Sequence, residues 1–265
     1  MDMLQPSDIP CYADRISCDV VPGGSRSTPG LLRHMGDLKA KIRDGYQTIM
    51  VHAAPASGKS RYLPDNVQPE IRGELLVLTP TTVDVVGMQS WTRCPSRYRT
   101  GLNKEGGAPR RSARIMFTTA GLASRWYASG GMYFLERYAG IIFDEMDRME
   151  EDPEFALLWE VVLKIQRRRW FLIVGASATF SVELRRKLEE VGAVWIRCTE
   201  RPFPVENNVV VVPDEESRYR AANTMVERLL HRGLTILVFL PGKTEIASAR
   251  ESLKSAGIQD CPITL

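Results

Sequence analysis

Short apolar runs that alternate with helix-period segments predict an α/β fold on a mostly parallel, doubly wound sheet. The runs are dense in Val, Ile, Leu and Phe, as strands covered on both faces must be. The helices between them have readable ends. Several runs stop at Gly, Ser, Thr or acidic residues, the chemistry that gathers at the carboxyl ends of parallel strands.

Along the chain, residues 1–27 are rich in Gly, Pro and Ser and show no period, which predicts a loosely packed lead-in. Leu31, Leu32, Met35, Leu38 and Ile42 recur at helical spacing before Gly45 and predict one helix. Strands are expected over Gln47–His52, Leu75–Thr79, Arg114–Thr118, Gly140–Asp144, Phe171–Gly175 and Val194–Cys198. Asp152 followed by Pro153 reads as an N-cap with proline at the first helical position. Ser181 caps the next helix, and Gly192 stands where a helix end wants a left-handed residue. Pro202 and Pro204 mark a boundary. Beyond them the pattern starts again, with a strand over Val209–Val212, a cap at Asp214, a strand over Thr235–Leu240 and a helix ending at Gly257. This divides the chain into a first domain over 28–203 and the opening of a second α/β domain over 204–265.

Composition narrows the function classes. The 265 residues suit one large domain, or one domain with part of another. A net charge of +3 leaves any polyanionic partner to be argued from local clusters. Five cysteines, odd in number and never spaced C-x-x-C, argue against a disulfide framework or a zinc site and fit a reducing compartment. Three scattered histidines disfavour a metallohydrolase. No apolar stretch reaches membrane-spanning length, and no signal-peptide pattern opens the chain.

Four segments carry the chemistry. Ala56-Ser57-Gly58-Lys59-Ser60-Arg61 follows a strand and opens a helix, where backbone N–H groups form an anion site. Lys59 would reach the β- and γ-phosphates, and the Ser60 hydroxyl would bind Mg²⁺. Asp144 and Glu145 end a buried run at the same sheet edge. Asp144 can hold the Mg²⁺ through water, while Glu145 orients and deprotonates an attacking water. An acidic helix start explains the carboxylates but not their place after a buried strand. Ser177 and Thr179 end the next strand, where their hydroxyls can bond the carboxylates of the Asp144–Asp147 segment and report loss of phosphate; a plain capping turn is the alternative. Thr79-Pro80-Thr81-Thr82 and Thr118-Thr119 lie on the same edge and suit a phosphodiester backbone. Between them seven basic residues from Arg93 to Arg114 face a lone Glu105, which fits an RNA contact or a solvated run equally well.

In this order the segments resemble the superfamily 2 DExD/H-box helicases, and more narrowly the flavivirus-type RNA helicases of positive-strand RNA viruses, over about Gly45 to Leu265. Ala53, Gly58, Lys59 and Ser60 match the A-x-x-G-x-G-K-[ST] loop, with Ala56 in place of its middle glycine. Arg61–Pro64 continues as the flavivirus-type loop does. Leu76–Thr81 resembles motif Ia, Thr118-Thr119 motif Ib, Asp144-Glu145-Met146-Asp147 the D-E-x-D/H box, Ser177-Ala178-Thr179 motif III, and Val238–Pro241 motif IV. Hypoviruses and related fungal viruses carry such helicases too, and D-E-M-D does not separate the groups.

The resemblance implies two RecA-like domains, the second only begun. It implies ATP or another NTP with Mg²⁺ at Lys59, Ser60, Asp144 and Glu145, and single-stranded or duplex RNA along Thr79, Pro80, Thr81, Thr82, Thr118, Thr119 and Gly242. Asp147, Ser177 and Thr179 would couple the two sites. It also implies viral replication proteins as partners, and a place in the host cytoplasm or at the periphery of viral replication membranes. Motifs V and VI are not matched, so the sequence reads as part of a longer helicase that hydrolyses ATP poorly alone. Two other readings stay open: a DNA-directed translocase, and a non-enzymatic binding module on a P-loop fold.

Overall fold

The computed structural model describes residues 30–101 and 105–198, with 211, 224–226, 228–229, 236, 238–240, 242–255 and 257 beyond them. One compact unit ends at Pro204, and the chain from Val205 onward falls in a second. The first unit is an eight-stranded sheet. Its strands are β1 (Thr48–Ala53), β2 (Glu74–Thr79), β3 (Ser96–Arg99), β4 (Glu105–Gly107), β5 (Ile115–Thr119), β6 (Tyr138–Asp144), β7 (Leu172–Ser177) and β8 (Val194–Cys198). The spatial order is β4-β3-β5-β2-β6-β7-β1-β8, parallel throughout except for β4.

The helices of this unit are α1 (Gly30–Arg33), α2 (Met35–Arg43), α3 (Lys59–Val67), α4 (Thr82–Trp91), α5 (Ala120–Gly130), α6 (Tyr133–Glu136), α7 (Pro153–Gln166) and α8 (Val182–Glu190). Side chains alternate across each strand, so two cores form, one on each face of the sheet. Ile49, Val51, Leu75, Val77, Ile142 and Val174 pack against Leu31, Leu38, Leu63 and Val85 of α1 to α4. Met50, Leu76, Leu78, Ile141, Phe143 and Ile173 pack against Ala123, Phe155, Leu158, Val162 and Leu184 of α5, α7 and α8. Each fully buried Leu, Ile or Phe contributes about 1.5–3 kcal/mol, and every residue of β6 is buried.

The six expected strands are all present, and the ends of α7 and α8 follow local chemistry. Asp152 Oδ1 accepts from the backbone N–H of Glu154 at 2.9 Å, and Ser181 Oγ accepts from that of Leu184 at 2.9 Å. Gly192 takes a φ of 77° just past α8. Three expectations are corrected. The single helix over Leu31–Ile42 is two, broken at His34, whose backbone leaves the helical region. The basic stretch from Arg93 to Arg114, where no strand was expected, holds β3, which extends the parallel sheet beside β5, and β4, which turns back on β3. A strand over Thr235–Leu240 is not formed at Val238–Leu240, where Phe239 is 85% exposed. The expected strand Val209–Val212 and cap at Asp214 fall, Val211 apart, outside the described residues. The later helix spans Lys243–Ser255, followed by Gly257 with a φ of 79°.

Candidate active site

Parallel pairing brings the carboxyl ends of β1, β6 and β7 to one edge, because His52 pairs with Ser177 and Asp144 with Ala176. At the end of β1 the chain turns through Pro55–Gly58 into α3. Ala54 N–H is held by Cys198 of β8 at 2.9 Å. Two left-handed residues make the turn possible, Ala56 with φ 59° and Gly58 with φ 92°. A Cβ on Gly58 would stand 2.5 Å from the Tyr62 ring and force that side chain to move, and the left-handed φ itself favours glycine there.

Lys59 is the first residue of α3 and is buried. Its Nζ donates to the carbonyls of Ala53 at 2.9 Å and Ala54 at 3.2 Å, so the ammonium lies folded back over the loop. Burial lowers its pKa, opposed by the negative charges of Glu145, Asp144 and Asp147. Ser60 Oγ donates to Asp144 Oδ2 at 2.8 Å, which joins two residues 84 positions apart. The second oxygen of Asp144 is buried with no hydrogen-bond partner. Desolvation pushes the Asp144 carboxyl up to about 7, against the Ser60 hydrogen bond that favours its charge.

Glu145 has a φ of 56° and a ψ of 58°, and opens a short 3₁₀ turn over Met146–Glu150. Burial raises its carboxyl above the usual range, with Lys59 pulling the other way. Among the described residues, Ala56 and Glu145 are the two non-glycine residues with positive φ. Ala56 precedes Ser60 in the loop and Glu145 follows Asp144, so each lies beside the bonded Ser60–Asp144 pair. Strain of this kind persists where the surroundings over-determine it, and it concentrates at functional sites.

The turn after β7 docks on the segment after β6. Thr179 Oγ1 donates to Asp147 Oδ2 at 2.6 Å, and Ser181 Oγ donates to Glu150 Oε1 at 2.7 Å. Ser177 does not reach the carboxylates as expected: it is fully buried, and its Oγ accepts from the Thr179 N–H at 3.0 Å. Its place within β7 turns the hydroxyl toward its own turn.

The residues expected along RNA separate into two groups. Thr79 and Thr118 are fully buried, and Thr79 Oγ1 donates to the Thr81 carbonyl at 3.0 Å. Their side chains sit beneath the edge and are closed to a ligand in this arrangement. Thr81 and Thr119 cap α4 and α5 by accepting from Asp84 and Leu122 N–H groups. Thr81 is exposed, while Pro80, Thr82 and Thr119 are half-buried. Arg97 of the basic stretch lies 3.9 Å from Glu74, which removes it from the solvated set. Gly242 lies in the second unit, immediately before the helix Lys243–Ser255.

Sequence reading missed His52 and Arg185. His52 Nε2 lies 3.2 Å from the Ala178 carbonyl, and Arg185 Nη2 lies 3.3 Å from His52 Nδ1. Neither contact has a local signal, because the partners are more than 120 residues apart in the chain.

The residues fit a divalent cation. The Ser60 hydroxyl and the Asp144 carboxylate, with its orphaned buried oxygen, are hard oxygen donors side by side. Among the described residues no cluster of three or more His, Cys, Asp or Glu forms a metal cage. A cation here would therefore complete its shell with water or with oxygens of a bound phosphate.

No family model matches the chain. Over 133 residues it is 29% identical to an ATP-dependent RNA helicase HrpA homolog from Haemophilus influenzae, covering 49% of this chain and 10% of that protein. Two solved structures resemble it, each 22% identical. One is the E. coli DExH-box NTPase HrpB, with TM-score 0.66 over 88% of this chain and 29% of that one. The other is the Escherichia coli DEAH/RHA helicase HrpB, with TM-score 0.71 over 86% and 30%. The chain thus spans a tenth of the curated relative and under a third of either solved chain. These relatives are bacterial, which overturns the expected setting in a host cytoplasm beside viral replication membranes. Among the described residues no helix is long and apolar enough to cross a membrane. The architecture is the RecA-like α/β fold seen in the helicase domains of HrpB.

Proposed function

We propose that this chain carries the nucleotide-hydrolysing core of a DExH-box RNA helicase of superfamily 2. The observation that carries the reading is the 2.8 Å hydrogen bond from Ser60 to Asp144, with the Lys59 ammonium buried in the adjoining loop. The likeness to the HrpA homolog, named as an ATP-dependent RNA helicase, supports the same class. The compact unit ending at Pro204 supports reading 28–203 as a first RecA-like domain and 204–265 as part of a second. The flavivirus-type likeness rests on Arg61–Pro64, because the D-E-M-D box does not separate the groups. The reading is therefore set at the level of the superfamily, with no viral partner attached.

In this reading Lys59 leaves the Ala53 and Ala54 carbonyls and takes the β- and γ-phosphates, while the N–H groups of Gly58 to Ser60 line the loop; that of Ser57 is held by the Ala54 carbonyl at 3.2 Å. Ser60 and Asp144 would hold magnesium, whose charge offsets the charge gathering on the transferred phosphoryl group. Glu145, whose carboxyl burial raises above its ordinary value, receives the proton of the attacking water. Thr179 then senses, through Asp147, whether the phosphate is in place. Pro80, Thr81, Thr82 and Thr119 stand at this edge, where the Thr82 hydroxyl and the first N–H groups of α4 and α5 would meet an RNA backbone without reading bases, the Thr81 and Thr119 hydroxyls being used in capping.

The test is MgATP binding and turnover with and without single-stranded RNA or DNA. Glu145→Gln should keep nucleotide binding and lower turnover by about 10²-fold or more, whereas Lys59→Ala should lose binding. Stimulation by DNA alone would make the chain a DNA translocase. Tight MgATP binding with no turnover under any condition would make it a binding module, and absence of MgATP binding would end the nucleotide reading.

A further inference from the structure

The turn that carries Thr179 is held from below as well as from above, by a group that the nucleotide chemistry does not use. His52 is the penultimate residue of β1, next to the strand end that becomes the phosphate loop. Its Nε2 lies 3.2 Å from the carbonyl of Ala178. A carbonyl only accepts, so Nε2 carries the proton. Its Nδ1 lies 3.3 Å from Arg185 Nη2. A guanidinium only donates, so Nδ1 must be bare. The two contacts together fix a single state, the neutral Nε2–H tautomer.

Arg185 is anchored in turn. Its Nε donates to the Phe180 carbonyl at 3.3 Å, and its guanidinium lies over the Trp195 ring, 5.7 Å from the centroid. The Phe180 ring meets His52 edge-on at 5.7 Å and Trp195 at 5.0 Å. Ala178 and Phe180, the residues either side of Thr179, are thus both fixed to β1, α8 and β8. Thr179 itself is free to point its hydroxyl at Asp147, 2.6 Å away.

We propose that His52 is a positioning residue for the coupling turn: as a neutral imidazole it holds Ala178 and bridges to Arg185, and so aims Thr179 at Asp147. The inference rests on the helicase reading for its functional consequence, but not for its geometry. Protonating Nδ1 would place an N–H against the Arg185 guanidinium and break that bridge. The charged groups that act on the ring are Arg185 of α8, Arg197 of β8 and Lys59 of α3, all cationic. Burial and these cations hold the imidazole pKa below its ordinary value, with the Ala178 hydrogen bond opposing them. The latch is accordingly closed at neutral pH and opens only on acidification.

Two arms test this. In the first, ¹⁵N NMR of the intact chain reads the His52 ring directly. The proposal expects the Nε2–H tautomer, a titration below the ordinary imidazole range, and an upward move of that titration in Arg185→Gln. An Nδ1–H tautomer, or a titration that Arg185→Gln leaves in place, would overturn it whether or not the chain hydrolyses ATP. In the second, His52→Leu removes both contacts, while His52→Gln keeps one donor and one acceptor and cannot titrate. His52→Leu should bind MgATP within about twofold of wild type yet lose tenfold or more of the RNA stimulation of turnover. His52→Gln should restore the stimulation and abolish its fall on the acid side. Equal stimulation in wild type and His52→Leu, or an unchanged acid-side fall in the ratio of RNA-stimulated to basal turnover in His52→Gln, would sink the coupling role, the titration of Asp144 and Glu145 being common to both rates. Wild type that shows no turnover would instead count against the helicase reading, with the NMR arm still deciding the latch.

Discussion

At Ala56 the backbone holds a φ of 59°, a conformation that costs an ordinary L-residue about 1–2 kcal/mol. The phosphate loop thus keeps the left-handed bend of a glycine turn although no glycine stands there. Ala56→Gly removes the Cβ clash and adds about 0.5–1 kcal/mol of unfolded-state entropy cost. The balance is a gain of about 0.5–1 kcal/mol, read as a higher urea midpoint, with MgATP binding no weaker than in wild type. A lower midpoint would mean that the loop uses the methyl group for packing. The sequence shows that alanine departs from the helicase pattern. It does not show that the backbone keeps its bend, because the rest of the loop dictates φ at this position. Glu145 makes the same point: its φ of 56° comes from the sharp exit of β6, not from any preference of glutamate.

Element ends were the most legible feature, since caps are decided by neighbours a few residues away. Asp152 and Ser181 were readable as caps for that reason. Ser181 also donates to Glu150 at 2.7 Å, which the sequence alone does not reveal. Ser181→Ala should therefore cost about 1 kcal/mol or somewhat more in chemical denaturation, the cap and the bridge being lost together. A value near zero would show that water replaces both contacts. The threonines after β2 and β5 were legible as polar loop residues, but not in their roles. Thr81 and Thr119 spend their hydroxyls on capping, and Thr79 on its own turn. Strands β3 and β4 were not visible as strands, because Arg97, Tyr98 and Arg99 lie near the sheet edge and make no apolar run.

Over the whole molecule, burying Asp144 makes stability depend on pH. Its carboxyl is raised from 3.8 to about 7 in the folded state, so the folded protein binds that proton more tightly than the unfolded chain. The contribution is complete below the unfolded value and is lost as pH rises through about 7. Asp144→Asn keeps an oxygen for Ser60 and removes the buried charge. It should be more stable than wild type by a few kcal/mol above pH 8, with the difference shrinking toward zero near pH 4. Urea unfolding at the two pH values checks this, and a gap that widens on acidification would contradict it. The same variant should lose MgATP turnover, which would place the cost of the buried carboxylate at the proposed chemistry.

The order of the six apolar strands, the two-faced burial and the caps at Asp152 and Ser181 were set by the sequence itself. Each depends on periodicity or on groups within one turn of each other, and such interactions are written along the chain. The meeting of Ser60 with Asp144, of Thr179 with Asp147, and of His52 with Ala178 and Arg185 was decided only by tertiary structure. Those pairs lie 84, 32, 126 and 133 residues apart. Only the parallel register of β6, β7 and β1 brings them to one edge, where burial then changes what each ionisable group can do.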